Sequence, residues 1–305
     1  MISKKRLPFF DILRIFCIAI IVYAHFNFWY LPTIDGINPN ILLFWNRIGF
    51  FNYPLNLAAF AVMGMFFVSG AVLEYNYKAI HNCIEYKGFI LKRFFRLYPI
   101  YWFSLLVSGI ILIVFSSVYP LPSDLMIAQA IFGIGYNNLN WIGWFIGAIF
   151  SLYLLFPFLS EAFRKYPYIS LIACAMIELT YHAVTPESFI TRSVPLWNLC
   201  EFGLGIFCIQ TGFYPKIDST SIILSKIADF SFYVFLFHII ILQFTNDLHY
   251  LFYSFSLFAL LDILSNPLFG YIITLCIIVI VSFIAMLIDK RMQKIISNRL
   301  QIIFH

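Results

Sequence analysis

Arg14 and His25 stand eleven residues apart in the apolar stretch FFDILRIFCIAIIVYAHFNFW. At about 100° per residue, eleven steps make three turns plus about 20°, so on a helix the two side chains share one face. They are then about 16 Å apart along its axis. Ionisable groups inside such a stretch are costly and are functional candidates by default. Away from water a charged imidazole is disfavoured, and the neutral ring can take a proton from a hydroxyl. The alternative use for His25 is a hydrogen bond to a neighbouring helix. Asp11 lies one turn before Arg14, placed to neutralise it.

A second group is FILKRFFRLYPIYW, residues 89–102. Lys92, Arg93 and Arg96 gather where a basic loop enters an apolar run. At i,i+3, the guanidinium groups of Arg93 and Arg96 can converge on one phosphate. Ordinary positive-inside anchoring accounts for the same pattern, with Tyr98, Pro99, Tyr101 and Trp102 marking the membrane interface. Glu201 in WNLCEFGLGIFC is a carboxylate that needs a proton or a cation. In DFSFYVFLFHIIIL, Ser231 and His238 are seven apart and share a helical face, whereas Tyr233 does not. Hydrogen bonds between packed helices explain that group equally.

Long apolar helices must position these residues. Of 305 residues 62% are hydrophobic, 20% aromatic and 11% charged. A soluble domain carries about 25% charge, so neither a soluble globule nor a disordered chain fits. Strong apolar runs cover 12–31, 55–73, 97–117, 141–160, 167–184, 194–211, 228–245 and 268–288. At about 20 residues per span these predict an all-α polytopic membrane protein of 8–10 transmembrane helices. It forms a single membrane-embedded domain over residues 1–305. Segments 125–138 and 250–264 are shorter and interrupted, which suits re-entrant, interfacial or short spanning helices alike. The run 12–31 is too long for a signal-peptide core and reads as a retained first helix.

Basic residues cluster before the first run, after the second, at 164–165, at 216–226 and at 290–299, while the alternate loops hold few. That alternation predicts both termini on the cytoplasmic side. Residues 289–305 read as a basic amphipathic helix on that surface. Scattered basic loops do not suit nucleic acid. The six cysteines form no CxxC pair, so no metal site or disulfide frame is expected. Gly143-x3-Gly147 and Gly203-x-Gly205 read as close helix packing.

Taken in order, these segments resemble the acyltransferase 3 family of integral membrane acyltransferases. Arg14-x10-His25 is similar to that family's R-x10-H motif. MFFVSGAVL (65–73), KRFFRLYPIYW (92–102), WFIGAIFSLYLLFP (144–157), EFGLGIF (201–207) and SFYVFLFH (231–238) resemble its further signatures in sequence. Phe235 stands where that pattern often has Tyr, and the basic cluster is KRxxR rather than the tighter R-x-R of some members.

The resemblance implies a membrane O-acyltransferase in the cell membrane. It would move an acyl group, most often acetyl, from cytoplasmic acyl-CoA to a hydroxyl of a cell-surface or lipid-linked saccharide. His25 would activate the hydroxyl or assist acyl passage, Arg14 would hold it or the CoA end, and Lys92, Arg93 and Arg96 would bind CoA phosphates. Asp11, Ser69, Glu201, Tyr233 and His238 are the supporting candidates, with Ser69, Asn198 and Tyr233 as candidate oxyanion donors. No hydrolase-like domain follows the membrane region, so an accessory glycan-modifying partner would complete the product, or the acceptor is simpler. A transporter or exporter of a polysaccharide or lipid-linked intermediate is the other reading of intramembrane Arg, His and Glu.

Overall fold

A computed structural model describes residues 6–29, 48–50, 53–55, 57–77, 80, 82–114, 122–135, 139–217, 221–254 and 267–304. The chain runs through α1 (Pro8–Trp29), β1 (Ile48–Phe50), β2 (Tyr53–Leu55), α2 (Leu57–Asn76), α3 (Cys83–Val114) and α4 (Asp124–Phe132). It continues through α5 (Gly143–Lys165), α6 (Pro167–Val184), α7 (Phe189–Arg192), a 3-10 turn (Pro195–Asn198), α8 (Leu199–Thr211), α9 (Ile222–Ser254) and α10 (Pro267–Phe304). The strands form one antiparallel hairpin, with Ile48 opposite Leu55 and Phe50 opposite Tyr53.

Among the described residues, seven helices are long and apolar enough to cross a membrane: α1, α2, α3, α5, α6, α9 and α10. Their outer faces carry Phe16, Phe158, Ile172 and Ile280, each more than half exposed. So much outward apolar surface belongs against lipid. The protein is a multi-pass membrane protein, and among the described residues its secondary structure is helical apart from the hairpin.

The expected span 194–211 takes a different form. Pro195 opens a single 3-10 turn, and the α-helix proper has 13 residues. That helix is about 20 Å long, short of the roughly 30 Å hydrocarbon core. Residues 250–254 simply extend α9, and 255–264 lie outside the described residues. Residues 289–304 continue α10 without a break rather than forming a separate surface helix.

Three sets of polar contacts define one end of the bundle. Arg6 joins the start of α1 to Asp229 near the start of α9 at 2.5 Å. Arg96 of α3 meets Asp289 of α10 at 3.5 Å. Glu74, at the end of α2, accepts from Arg164 of α5 at 3.2 Å and Gln210 of α8 at 2.9 Å. Because α8 reaches this basic end, the 3-10 turn and α8 together serve as an eighth traverse. The start of α1 and the Asp289 stretch of α10 therefore share one end.

Glycine permits the tightest contact. At Gly205 a Cβ would fall on the Phe67 carbonyl, and at Gly70 on the Phe202 carbonyl, so α2 and α8 touch backbone to backbone. Gly203 faces the Phe163 ring and Cys174, and Gly147 faces the Gly133 carbonyl. Both glycine pairs noted in the sequence thus serve packing.

Segment 125–138 contains α4, which has 9 residues and cannot span. Ser123 caps its start. At its end Gly133, at φ +70°, adopts the left-handed turn that glycine allows. Its last carbonyls are satisfied from α3: Tyr101 donates to Ala130, Trp102 to Ile131 and Tyr98 to Phe132, at 2.6, 2.9 and 3.1 Å. Tyr98 and Tyr101 are buried and cap this helix, instead of forming the aromatic belt that their spacing suggests. Pro99 has no N–H to give the Phe95 carbonyl, and Gln293 of α10 donates to it instead, at 2.6 Å.

Candidate active site

A cavity of about 240 Å³ opens at the basic end between α1, α2, α3, α5 and α9. Its polar lining includes Arg6, Asp11, Arg14, Ser69, Arg93, Arg96, Tyr153 and Asp229, and Phe145 and Met65 are also in its wall. Helical periodicity explains the α1 contribution: Leu7, Asp11 and Arg14 fall at i, i+4 and i+7, one stripe.

Arg14 has no hydrogen-bond partner among the described side chains. Asp11 faces Arg14 as an opposite charge without a hydrogen bond, and its carboxylate also lies 3.5 Å from Arg6, which grips Asp229. Arg6 is close enough to occupy both carboxylates, which leaves the Arg14 guanidinium facing the cavity. An arginine without a bonded partner, in the wall of an intramembrane cavity, suits an anion.

Arg93 donates to the Tyr77 hydroxyl and sits over three rings, with its guanidinium carbon 4.8 Å from the Tyr77 centroid, 5.6 Å from Phe89 and 5.9 Å from Tyr153. These contacts hold the guanidinium in place, yet its Nε is buried without a partner. Arg96 is held by Asp289 and lies 5.9 Å from the Phe232 ring centroid. The two arginines thus enter one cavity, as their spacing allows. Lys92, from the same sequence cluster, is exposed and is not part of the wall.

Deeper in the wall, the hydroxyls of Ser69 and Tyr153 are 2.9 Å apart. Tyr153 belongs to the WFIGAIFSLYLLFP segment (144–157), whose apolar neighbours give no sign of a site, and packing turns it inward. The other two oxyanion candidates stand outside. Tyr233 donates its hydroxyl to Asp289 at 2.6 Å in the buried interior. Asn198 is buried in the 3-10 turn, at the opposite end of α8 from the cavity.

His25 is half-buried and lies beyond the cavity, about 16 Å along α1 from Arg14. Its Nδ1 is 2.9 Å from Nε2 of His238, and the rings stack with centroids 5.1 Å apart. His238 is fully buried, and its Nδ1 lies 2.7 Å from the Phe235 carbonyl. Between cavity and histidines lies an aromatic layer: Phe145, in the cavity wall, packs on Phe66 and Phe235 at 4.8 and 4.9 Å. With phenylalanine at 235 this layer is wholly apolar.

Glu201 belongs to neither group. Its Oε2 is buried without a hydrogen-bond partner, and the neighbouring Cys200 N–H donates to Glu178 of α6 at 2.7 Å. This pair joins α6 to α8 away from the cavity. Ser231 bonds back to the Ala228 carbonyl within its own helix.

A family model described as an acyltransferase domain matches residues 7–217. The match takes in α1 to α8 and ends before α9 and α10, which carry His238 and Asp289. No curated protein and no solved structure matches the chain.

Proposed function

The chain belongs to the acyltransferase 3 family and is a membrane acyltransferase, and from that premise we propose that it takes its acyl group from cytoplasmic acyl-CoA, acetyl-CoA in the first instance. The acceptor in this reading is a hydroxyl of a cell-surface or lipid-linked saccharide, and the basic end of the bundle faces the cytoplasm. The observation that carries it is the cavity in which Arg14 of α1 meets Arg93 and Arg96 of α3. CoA is polyanionic at one end and an apolar-tolerant thioester at the other. A basic mouth leading to an aromatic floor matches that polarity.

Arg93 and Arg96 bind the phosphates, each already fixed by a ring or carboxylate contact, so little side-chain freedom is lost on binding. The pantetheine arm runs inward past Arg14, Ser69 and Tyr153. When Phe145 and Phe235 part, the thioester reaches His25. His25 takes the acceptor hydroxyl proton as its oxygen attacks the thioester carbonyl carbon. The carbon–sulfur bond then breaks, and His25 returns the proton to the departing thiolate. Donors near the carbonyl oxygen stabilise the charge that develops there; Ser69 and Tyr153 line the path on the cavity side of the Phe145–Phe235 contact and meet the pantetheine arm instead.

Binding of radiolabelled acetyl-CoA to the purified full chain tests this reading. Saturable binding that is lost in Arg93→Ala and Arg96→Ala, with labelled glycan formed in membranes, supports it. If acetyl-CoA neither binds nor is consumed, the donor assignment fails.

A further inference from the structure

Resting on the reading of His25 as the base, we propose that His238 is a positioning residue that holds His25 in the tautomer whose bare nitrogen is Nε2. The assignment follows from a chain of two contacts that begins on a group with no proton to give. The Phe235 carbonyl can only accept, so at 2.7 Å the proton of that contact belongs to His238 Nδ1. His238 is fully buried, and in its neutral form Nε2 then carries a lone pair. His25 Nδ1 lies 2.9 Å from that lone pair. Two bare nitrogens would repel at this distance, so His25 Nδ1 bears the hydrogen and donates it. What remains on His25 is the Nε2 lone pair, the basic nitrogen.

The ordering starts within α9, since Phe235 and His238 are one turn apart on the same helix. It reaches α1 through a single side-chain bond across 213 residues of sequence. His238 touches no reacting atom in this scheme. The acceptor hydroxyl approaches the Nε2 edge of His25, gives its proton there, and attacks the thioester carbon as CoA thiolate leaves. While His25 holds the proton, the Nδ1–H to His238 bond persists and favours the charged ring, because a hydrogen bond from a charged donor is stronger than one from a neutral donor. Aspartate could provide a similar anchor but would add a charge to a membrane interior; a neutral imidazole provides the acceptor without one.

The test compares His238→Gln, whose amide oxygen can reach the place of Nε2, with His238→Leu, which has no acceptor. Free CoA released from acetyl-CoA is measured in membranes containing the full chain. The expected result is a KM for acetyl-CoA within twofold of wild type in both variants. In His238→Leu kcat falls by about 100-fold or more, the scale of general-base catalysis, whereas His238→Gln recovers to within about tenfold. Independently of turnover, 15N-histidine NMR of the purified chain is expected to show His25 protonated on Nδ1 and bare on Nε2, with the two forms mixed in His238→Leu. Wild-type kcat in His238→Leu, or a proton on Nε2 of His25 in the wild type, overturns the proposal. If wild-type membranes consume no acetyl-CoA while the NMR result holds, the donor reading falls and the tautomer assignment stands.

Discussion

Arg96 and Asp289 face each other at 3.5 Å across the α3–α10 junction, with the carboxylate 1% exposed and the guanidinium 44% exposed. The same Asp289 accepts from Tyr233 at 2.6 Å and from Gln293 at 3.2 Å. Both carboxylate oxygens are therefore hydrogen-bonded by neutral groups, and Arg96 supplies the positive charge. The arginine keeps exposed donors for a ligand while one of its nitrogens is anchored. Substituting Arg96→Gln is expected to raise KM for acetyl-CoA by about 10- to 100-fold, the range for losing a charged hydrogen bond worth about 1.5–3 kcal/mol. Thermal unfolding of the purified variant is expected to shift down moderately, because the buried Asp289 loses its cation. A large loss of stability with unchanged KM would make Arg96 purely structural.

Arg93 and Lys92 are neighbours in sequence, but only Arg93 enters the cavity wall. Arg93→Ala is expected to weaken acetyl-CoA binding at least tenfold and Lys92→Ala by less than twofold, read by equilibrium binding of the labelled donor. Equal losses would place the phosphates outside the cavity.

His25→Ala is expected to lower kcat by about 10²- to 10⁴-fold, the usual yield of a positioned base. Membrane insertion and acetyl-CoA binding remain, because the cavity lies on the other side of the Phe145–Phe235 contact. Acetylated glycan formed at the wild-type rate in this variant would remove His25 from the chemistry.

Arg14 sits in a membrane helix without a hydrogen-bonded counterion among the described residues, an arrangement that costs stability and is kept for function. Arg14→Leu is expected to abolish turnover and to raise the unfolding temperature in detergent. Measuring both on one preparation separates this from simple misfolding, which lowers both.

Gly205→Leu is expected to separate α2 from α8, since its first side-chain carbon already meets the Phe67 carbonyl. Overpacking of this kind costs roughly 1–3 kcal/mol or more. A fall in unfolding temperature and in yield is the readout. A variant as stable as wild type would mean that the backbone contact gives way cheaply.

Much of the architecture was legible in the sequence. Seven of the eight apolar runs are spans by length and composition, because lipid demands long unbroken apolar helices and leaves a strong signal. The eighth, 194–211, makes its traverse as a 3-10 turn followed by a short α-helix, for a local reason. Pro195 and the 3-10 turn consume four residues of a run whose hydrophobicity continues unbroken. The YPIYW tyrosines also looked like interface markers, since hydropathy cannot tell a phenol facing headgroups from one capping a buried helix end.

The candidate site divides in the same way. Arg14 and His25 stand out because a charge or an imidazole in an apolar run has few excuses, and i,i+3 spacing alone sends Arg93 and Arg96 to a common place. Sequence could pair residues only within one helix, where 3.6 residues per turn fixes the geometry. Asp11 is the partner of Arg14 on that rule, yet the hydrogen bond to its carboxylate comes from Arg6, which also holds Asp229. The meeting of His25 with His238, the inward turn of Tyr153 and the remoteness of Glu201 depend on how separate helices rotate and cross. Those rotations are set by contacts such as the facing glycines of α2 and α8, and no spacing within a single helix encodes them.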